Sequence, residues 1–173
     1  RLKQILCKAI AQRGHAYMVV SGGKTPIDLF KTLAKLELPW NKVTLTLADE
    51  RCVPLDHKDR NEGLVRHYLL QYEAASVHFL SLYKEAYSVE KIANIIAALP
   101  TFDAVVLGMG DDGHTASLFP CAKELADGLG DAAAAALRIT PKKAPHPRVS
   151  LSKQRLLNSR VIFFHVLGHK KLA

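Results

Sequence analysis

Short apolar runs that each stop at a glycine or at a cluster of charges constrain this chain more than any other feature. Ala16–Val20 runs into Ser21-Gly22-Gly23, and residues 43–48 run into Asp49-Glu50-Arg51. Ala104–Leu107 stops at Gly108, and residues 161–167 stop at Gly168. Runs of this length fall far below the ~18 residues of a membrane span and suit strands buried on both faces. Between them lie segments with apolar residues at helical spacing. Alternating buried strands and helices imply a mainly parallel sheet with helices on both faces, an α/β three-layer sandwich of the Rossmann-like kind.

The element boundaries follow from the same periodicities. Leu2, Ile5, Leu6, Ala9 and Ile10 share one helical face, and Gly14 ends that helix. Thr25 is placed to cap a second helix, with Pro26 in its first turn, Asp28 at capping-box spacing, and Leu29, Phe30, Leu33 and Leu36 inward. Further helices are expected over 61–70, 89–99 and 153–158, and strands over 77–80 and 148–151. The alanine run 132–136 is expected to form a surface helix. Lys142, Lys143 and the prolines at 141, 145 and 147 are expected to form a stiff basic loop in solvent. With 173 residues, 49% of them hydrophobic, a single domain over 1–173 is expected. The first residue is not Met, and the glycine turn at 168 has no helix after it. The reading is therefore of a chain truncated at both ends, with a C-terminal helix missing.

Composition narrows the function classes. Cys7, Cys52 and Cys121 are odd in number, far apart and without C-x-x-C spacing, which argues against disulfides and structural zinc and for a cytoplasmic location. The formal charge of +8 is spread along the chain without a nucleic-acid motif, so it fits attraction of small anions better than nucleic-acid binding. No membrane association is expected, and the oligomeric state is left open with a monomer favoured.

The chemistry gathers at the strand ends, which face one edge of a parallel sheet. Gly22, Gly23, Lys24 and Thr25 at a helix start could cradle a phosphate, or form a plain strand-to-helix turn. Asp49 and Arg51 could be a solvated surface turn, or Arg51 could hold a phosphate through paired donors. In the longest motif, Gly110 and Gly113 enclose Asp111 and Asp112 and lead to His114, a residue type that titrates near neutrality and can act as a base. The remaining histidines are read as ordinary, and His165 with His169 is not read as a metal pair because Gly168 interrupts them.

The combination S-G-G-K-T-P, A-D-E-R-C-V-P and L-G-M-G-D-D-G-H-T-A-S-L-F-P resembles the 6-phosphogluconolactonases, in the superfamily that also holds the glucosamine-6-phosphate deaminases. The resemblance implies cofactor-free hydrolysis of 6-phospho-D-glucono-1,5-lactone in the oxidative pentose phosphate pathway. It implies His114 as the base that activates water and Asp112 as its assistant. It implies Gly22, Gly23, Arg51, Arg148 and Lys171 as phosphate contacts, with Lys24, Thr25, Asp49 and Gly110 beside them. Phe119 stands where the deaminases carry a glutamate, which argues against deamination. Arg60 stands where the family often has serine, and Lys24 where it often has a small residue. A non-catalytic sugar-phosphate sensor is the remaining alternative.

Overall fold

The computed structural model describes residues 1–167. Its centre is a five-stranded sheet built from β1 (Ala16–Val20), β2 (Val43–Leu47), β4 (His78–Leu80), β5 (Ala104–Leu107) and β8 (Ile162–Phe164), in the order β4-β2-β1-β5-β8. Every pairing in it is parallel. The register sets Val20 beside Leu47 and Val106, and Leu107 beside Phe164, so the carboxyl ends of four strands share one edge. β5 is buried at all four positions, as a parallel strand covered on both faces must be.

Helices α1 (Leu2–Arg13), α2 (Ile27–Ala34), α3 (Asn61–Tyr68), α4 (Val89–Ala97) and α6 (Lys153–Leu157) fall within the expected segments. Gly14 ends α1 at φ 77°, a left-handed conformation that glycine adopts without steric cost. Leu6, Phe30, Leu33, Ile92 and Ile96 turn inward onto the buried faces of β1, β2 and β5 to form one core. Buried Asp103 ties the entrance of β5 to its neighbours. It accepts the Tyr17 amide at 2.9 Å and pairs with Arg13 and Arg160.

Three expectations are corrected. The Thr25 cap does not form, because α2 starts at Ile27 with Pro26 in the cap position and no side-chain bond there. The alanine run does not make a helix: Ala136 opens strand β6 (Ala136–Ile139), and the only helix nearby is the short α5 (Leu125–Leu129). Cross-strand pairing of buried Ala136 with Leu151 outweighs the modest helix preference of alanine. Asp49–Arg51 is a strand (β3), not a strand-exit turn. With β7 (Arg148–Leu151) and β6 it forms a separate antiparallel sheet of order β3-β7-β6. Among the described residues no helix is long and apolar enough to cross a membrane.

Candidate active site

Above the carboxyl ends of β1 and β5 lies a cleft of about 200 Å³. Its floor is the loop after β5, and its walls are the turn after β1 and the second sheet. Gly22, Gly23, Thr25, Asp49, Arg51 and Asn61 line it together with Gly108, Met109, Gly110, His114, Arg148 and His165. The cleft thus draws on loops far apart in sequence, as expected of a ligand site at the end of a parallel sheet.

The turn after β1 is shaped by close approach. A Cβ on Gly22 would meet the Asn61 Oδ1 at 2.1 Å, so only glycine lets the α3 side chain pack there. Asn61 is fixed by donating its Nδ2 to the Asp49 carbonyl at 3.0 Å. Gly23 has φ 87°. Among the described residues none accepts a hydrogen bond from the Gly22 or Gly23 amide, and both residues face the cleft. Two such donors near the start of α2 favour an anion. Lys24 is exposed and does not line the cleft.

Among the described residues, Arg51 and Arg148 are the arginines that line the cleft. They sit on adjacent antiparallel strands as directly paired residues. Arg51 donates Nη1 to the Asp59 carbonyl at 2.6 Å, and Arg148 donates Nη2 to the Pro145 carbonyl at 3.3 Å. The Nε of each is buried without a hydrogen-bond partner. Burial, and then the nearby Arg51, lower the pKa of Arg148, while Asp49 opposes the shift from 3.8 Å. Asp49 is itself held by the Ser117 hydroxyl at 2.5 Å. Like charges placed opposite one another, with unpaired donors, are a strong electrostatic demand for an anion.

The loop after β5 presents His114. Its Nδ1 contacts the Asp112 carboxylate in a short hydrogen bond, and this bond, more than any other influence, holds the Asp112 carboxyl below the usual range. An ionised carboxylate only accepts, so Nδ1 carries the proton and Nε2 is the basic nitrogen. Gly110 donates its amide to the His114 carbonyl at 2.8 Å, closing the loop, and Thr115 Oγ1 caps it onto the Gly108 carbonyl at 2.9 Å. Gly113 has φ 81°. The Phe119 ring lies 4.0 Å from the imidazole, centroid to centroid, and the Arg148 guanidinium sits over the same ring at 5.1 Å.

The sequence profile of the glucosamine-6-phosphate isomerases/6-phosphogluconolactonase family matches residues 1–173. The chain belongs to this family. Within it, the chain is 42% identical over 170 residues to a 6-phosphogluconolactonase of Pseudomonas putida, covering 95% of this chain and 70% of that protein. It is 41% identical over 174 residues to one of Pseudomonas aeruginosa, with 97% and 73% covered. The crystal structure of a 6-phosphogluconolactonase from Shewanella baltica superposes with a TM-score of 0.94 at 43% identity, covering 99% of this chain and 75% of that one. One from Thermotoga maritima superposes with a TM-score of 0.84 at 28% identity, covering 99% and 78%.

Of the site residues expected for a member of this family, the structure brings Gly22, Gly23, Thr25, Asp49, Arg51, Gly110, His114 and Arg148 to one cleft. Asp112 touches His114 from outside it. Lys171 lies outside the described residues, as does His169. Nothing in the sequence singles out Asn61, visible only as the partner of Gly22, or His165, which lines the cleft. The same holds for the role of Arg60. That residue is buried, donates to the Val53 and Tyr83 carbonyls, and pairs with Glu50 at 3.1 Å and Glu62 at 3.0 Å.

Proposed function

We propose that this chain hydrolyses 6-phospho-D-glucono-1,5-lactone to 6-phospho-D-gluconate, in the oxidative pentose phosphate pathway and in the cytoplasm. The observation that carries the reading is the joint placement of an oriented imidazole and two under-paired arginines in one cleft. Arg51, Arg148 and the Gly22 and Gly23 amides bind the phosphate and set the lactone with its C1 carbonyl near His114. Water attacks C1 while His114 Nε2 takes one of its protons. The tetrahedral intermediate collapses, the bond from C1 to the ring oxygen breaks, and the imidazolium returns the proton to that oxygen. The new carboxylic acid then releases its proton to solvent. A lactone carbonyl is already electrophilic, so alignment and one base suffice, and the reaction as written uses only groups of this chain. Asp112 keeps the imidazole in the right tautomer and orientation.

Phe119 favours hydrolysis over deamination. It packs its ring against His114, where the deaminases that this chain resembles carry a glutamate, and phenylalanine cannot move a proton. Supplying purified protein with the lactone and, separately, with glucosamine 6-phosphate tests the reading. Lactone opening faster than the spontaneous rate, with no ammonia from the amino sugar, is expected. Ammonia release, or phosphate-ligand binding without any lactone turnover, would overturn it.

A further inference from the structure

Beside the cleft, His57, Asp59 and His146 bring two imidazoles and a carboxylate together from two loops, and we propose that they form a binding site for one divalent transition-metal ion of the zinc type. One ligand atom from each residue lies within 4.8 Å of the others. His146 Nε2 is 3.0 Å from Asp59 Oδ2, and His57 Nδ1 is 4.0 Å from the same oxygen. The two rings meet edge to face with centroids 5.1 Å apart.

These distances suit a metal. Around a tetrahedral ion with bonds of about 2.0–2.1 Å, ligand atoms sit roughly 3.3 Å from one another. The two separations from Asp59, 3.0 and 4.0 Å, lie on either side of that value, and all three ligand atoms lie within 4.8 Å of one another, so a small inward shift of the His57 ring closes the site. His57 Nδ1 accepts the Asp59 amide at 3.1 Å, which means that this nitrogen carries a lone pair and no proton. An ion would take over that lone pair. Two imidazole nitrogens with one carboxylate oxygen select zinc, cobalt or nickel over magnesium or calcium, which prefer all-oxygen shells. Three protein ligands leave a position for water. Exposed Lys58 and the nearby Arg51 are cations, so affinity here must come from ligand bonds and not from a negative field.

The site is connected to the cleft by two backbone carbonyls. Asp59 offers its carbonyl to Arg51, and Pro145, next to His146, offers its carbonyl to Arg148. An ion that clamps the loop carrying Asp59 to the loop carrying His146 therefore fixes the supports of both arginines. This second step rests on the proposed role of the arginines, whereas metal binding itself is measured without any substrate.

The test is titration of chelator-treated, dialysed protein with zinc chloride in a calorimeter, and with cobalt chloride by visible absorption. One zinc ion per chain and cobalt bands of a low-coordinate site are expected. His57→Gln and His146→Asn should each weaken zinc binding by about tenfold or more. Asparagine is chosen because His146 has φ 68°, which asparagine tolerates. His114→Ala should leave zinc affinity unchanged, which separates this site from the catalytic histidine. Circular dichroism confirms that each variant is folded. Absence of stoichiometric zinc binding by the wild-type chain, or equal affinity in the folded His57→Gln and His146→Asn variants, would overturn the proposal.

Discussion

Arg51 and Arg148 stand directly opposite one another on β3 and β7, and each keeps a buried Nε without a hydrogen-bond partner. Like charges directly opposite one another across strands are destabilising. A bound phosphate would convert that cost into two sets of charge-assisted hydrogen bonds. Arg51→Ala should therefore weaken competitive inhibition by inorganic phosphate by roughly tenfold or more, with a smaller effect on kcat. Arg51→Lys should restore little of it, because a point charge cannot reproduce the paired donors. Inhibition constants measured for the three proteins check this, and equal constants would remove Arg51 from the phosphate site.

Gly110 is held to glycine by His114. A Cβ there would sit 2.2 Å from His114 Cε1 and 2.3 Å from Nδ1, closer than real side chains approach. Gly110→Ala must push the imidazole off Asp112. We expect kcat to fall by about two orders of magnitude, in line with losing one positioned base, while the chain stays folded because the loop lies outside the core. Thermal unfolding and initial rates measured on the same sample check both halves.

In the proposed mechanism Asp112 acts through its charge. The hydrogen bond to His114 holds its carboxyl below the usual range, so it is ionised throughout the neutral region. Any contribution of this pair to stability is present above the ordinary aspartate range and lost only as pH falls through the lowered value, and its exposure keeps that contribution small. Asp112→Asn should lower kcat by about tenfold or more with KM within a few fold. A raised KM with unchanged kcat would instead make Asp112 a binding residue.

Glu50 supplies a pH signature of the wall behind the cleft. It is fully buried, and burial pushes its carboxyl up to about 7, although the amides of Asn61, Glu62 and Arg51 and the Arg60 cation pull it down. Between the ordinary glutamate value and about 7 the folded chain holds a proton that the unfolded chain has lost. The contribution of Glu50 to stability is therefore greatest in acid and falls as pH rises through that window. Denaturant unfolding of wild type and Glu50→Gln from pH 4 to 8 should show the wild type losing ground relative to the variant as pH rises. A wild type that gains ground would mean that the amides and Arg60 outweigh burial.

Much of this was legible in the residues. The parallel sheet could be read because β1 and β5 are short, apolar and followed by glycine turns, and buried strands leave that trace. The loop from Gly108 to His114 could be read because glycine, acid and histidine in that density have few packing uses. The second sheet was not legible. β3 and β6 are short and mixed in polarity, and their partner β7 lies far from β3 in sequence, so only pairing defines them. For the same reason the meeting of Arg51 with Arg148, and of Asp59 with His146, is a property of the fold and not of any local motif.

In the proposed reaction His114, oriented by Asp112, activates water against a phosphorylated lactone held by Arg51 and Arg148. The most direct measurement follows acid release from freshly prepared 6-phospho-D-glucono-1,5-lactone with wild type and with His114→Ala, each corrected for spontaneous opening. Turnover by the wild type, a loss of about a hundredfold or more in kcat for the variant, and binding of 6-phosphogluconate within a few fold in both are expected. Full activity in a folded His114→Ala protein would rule out His114 as the base.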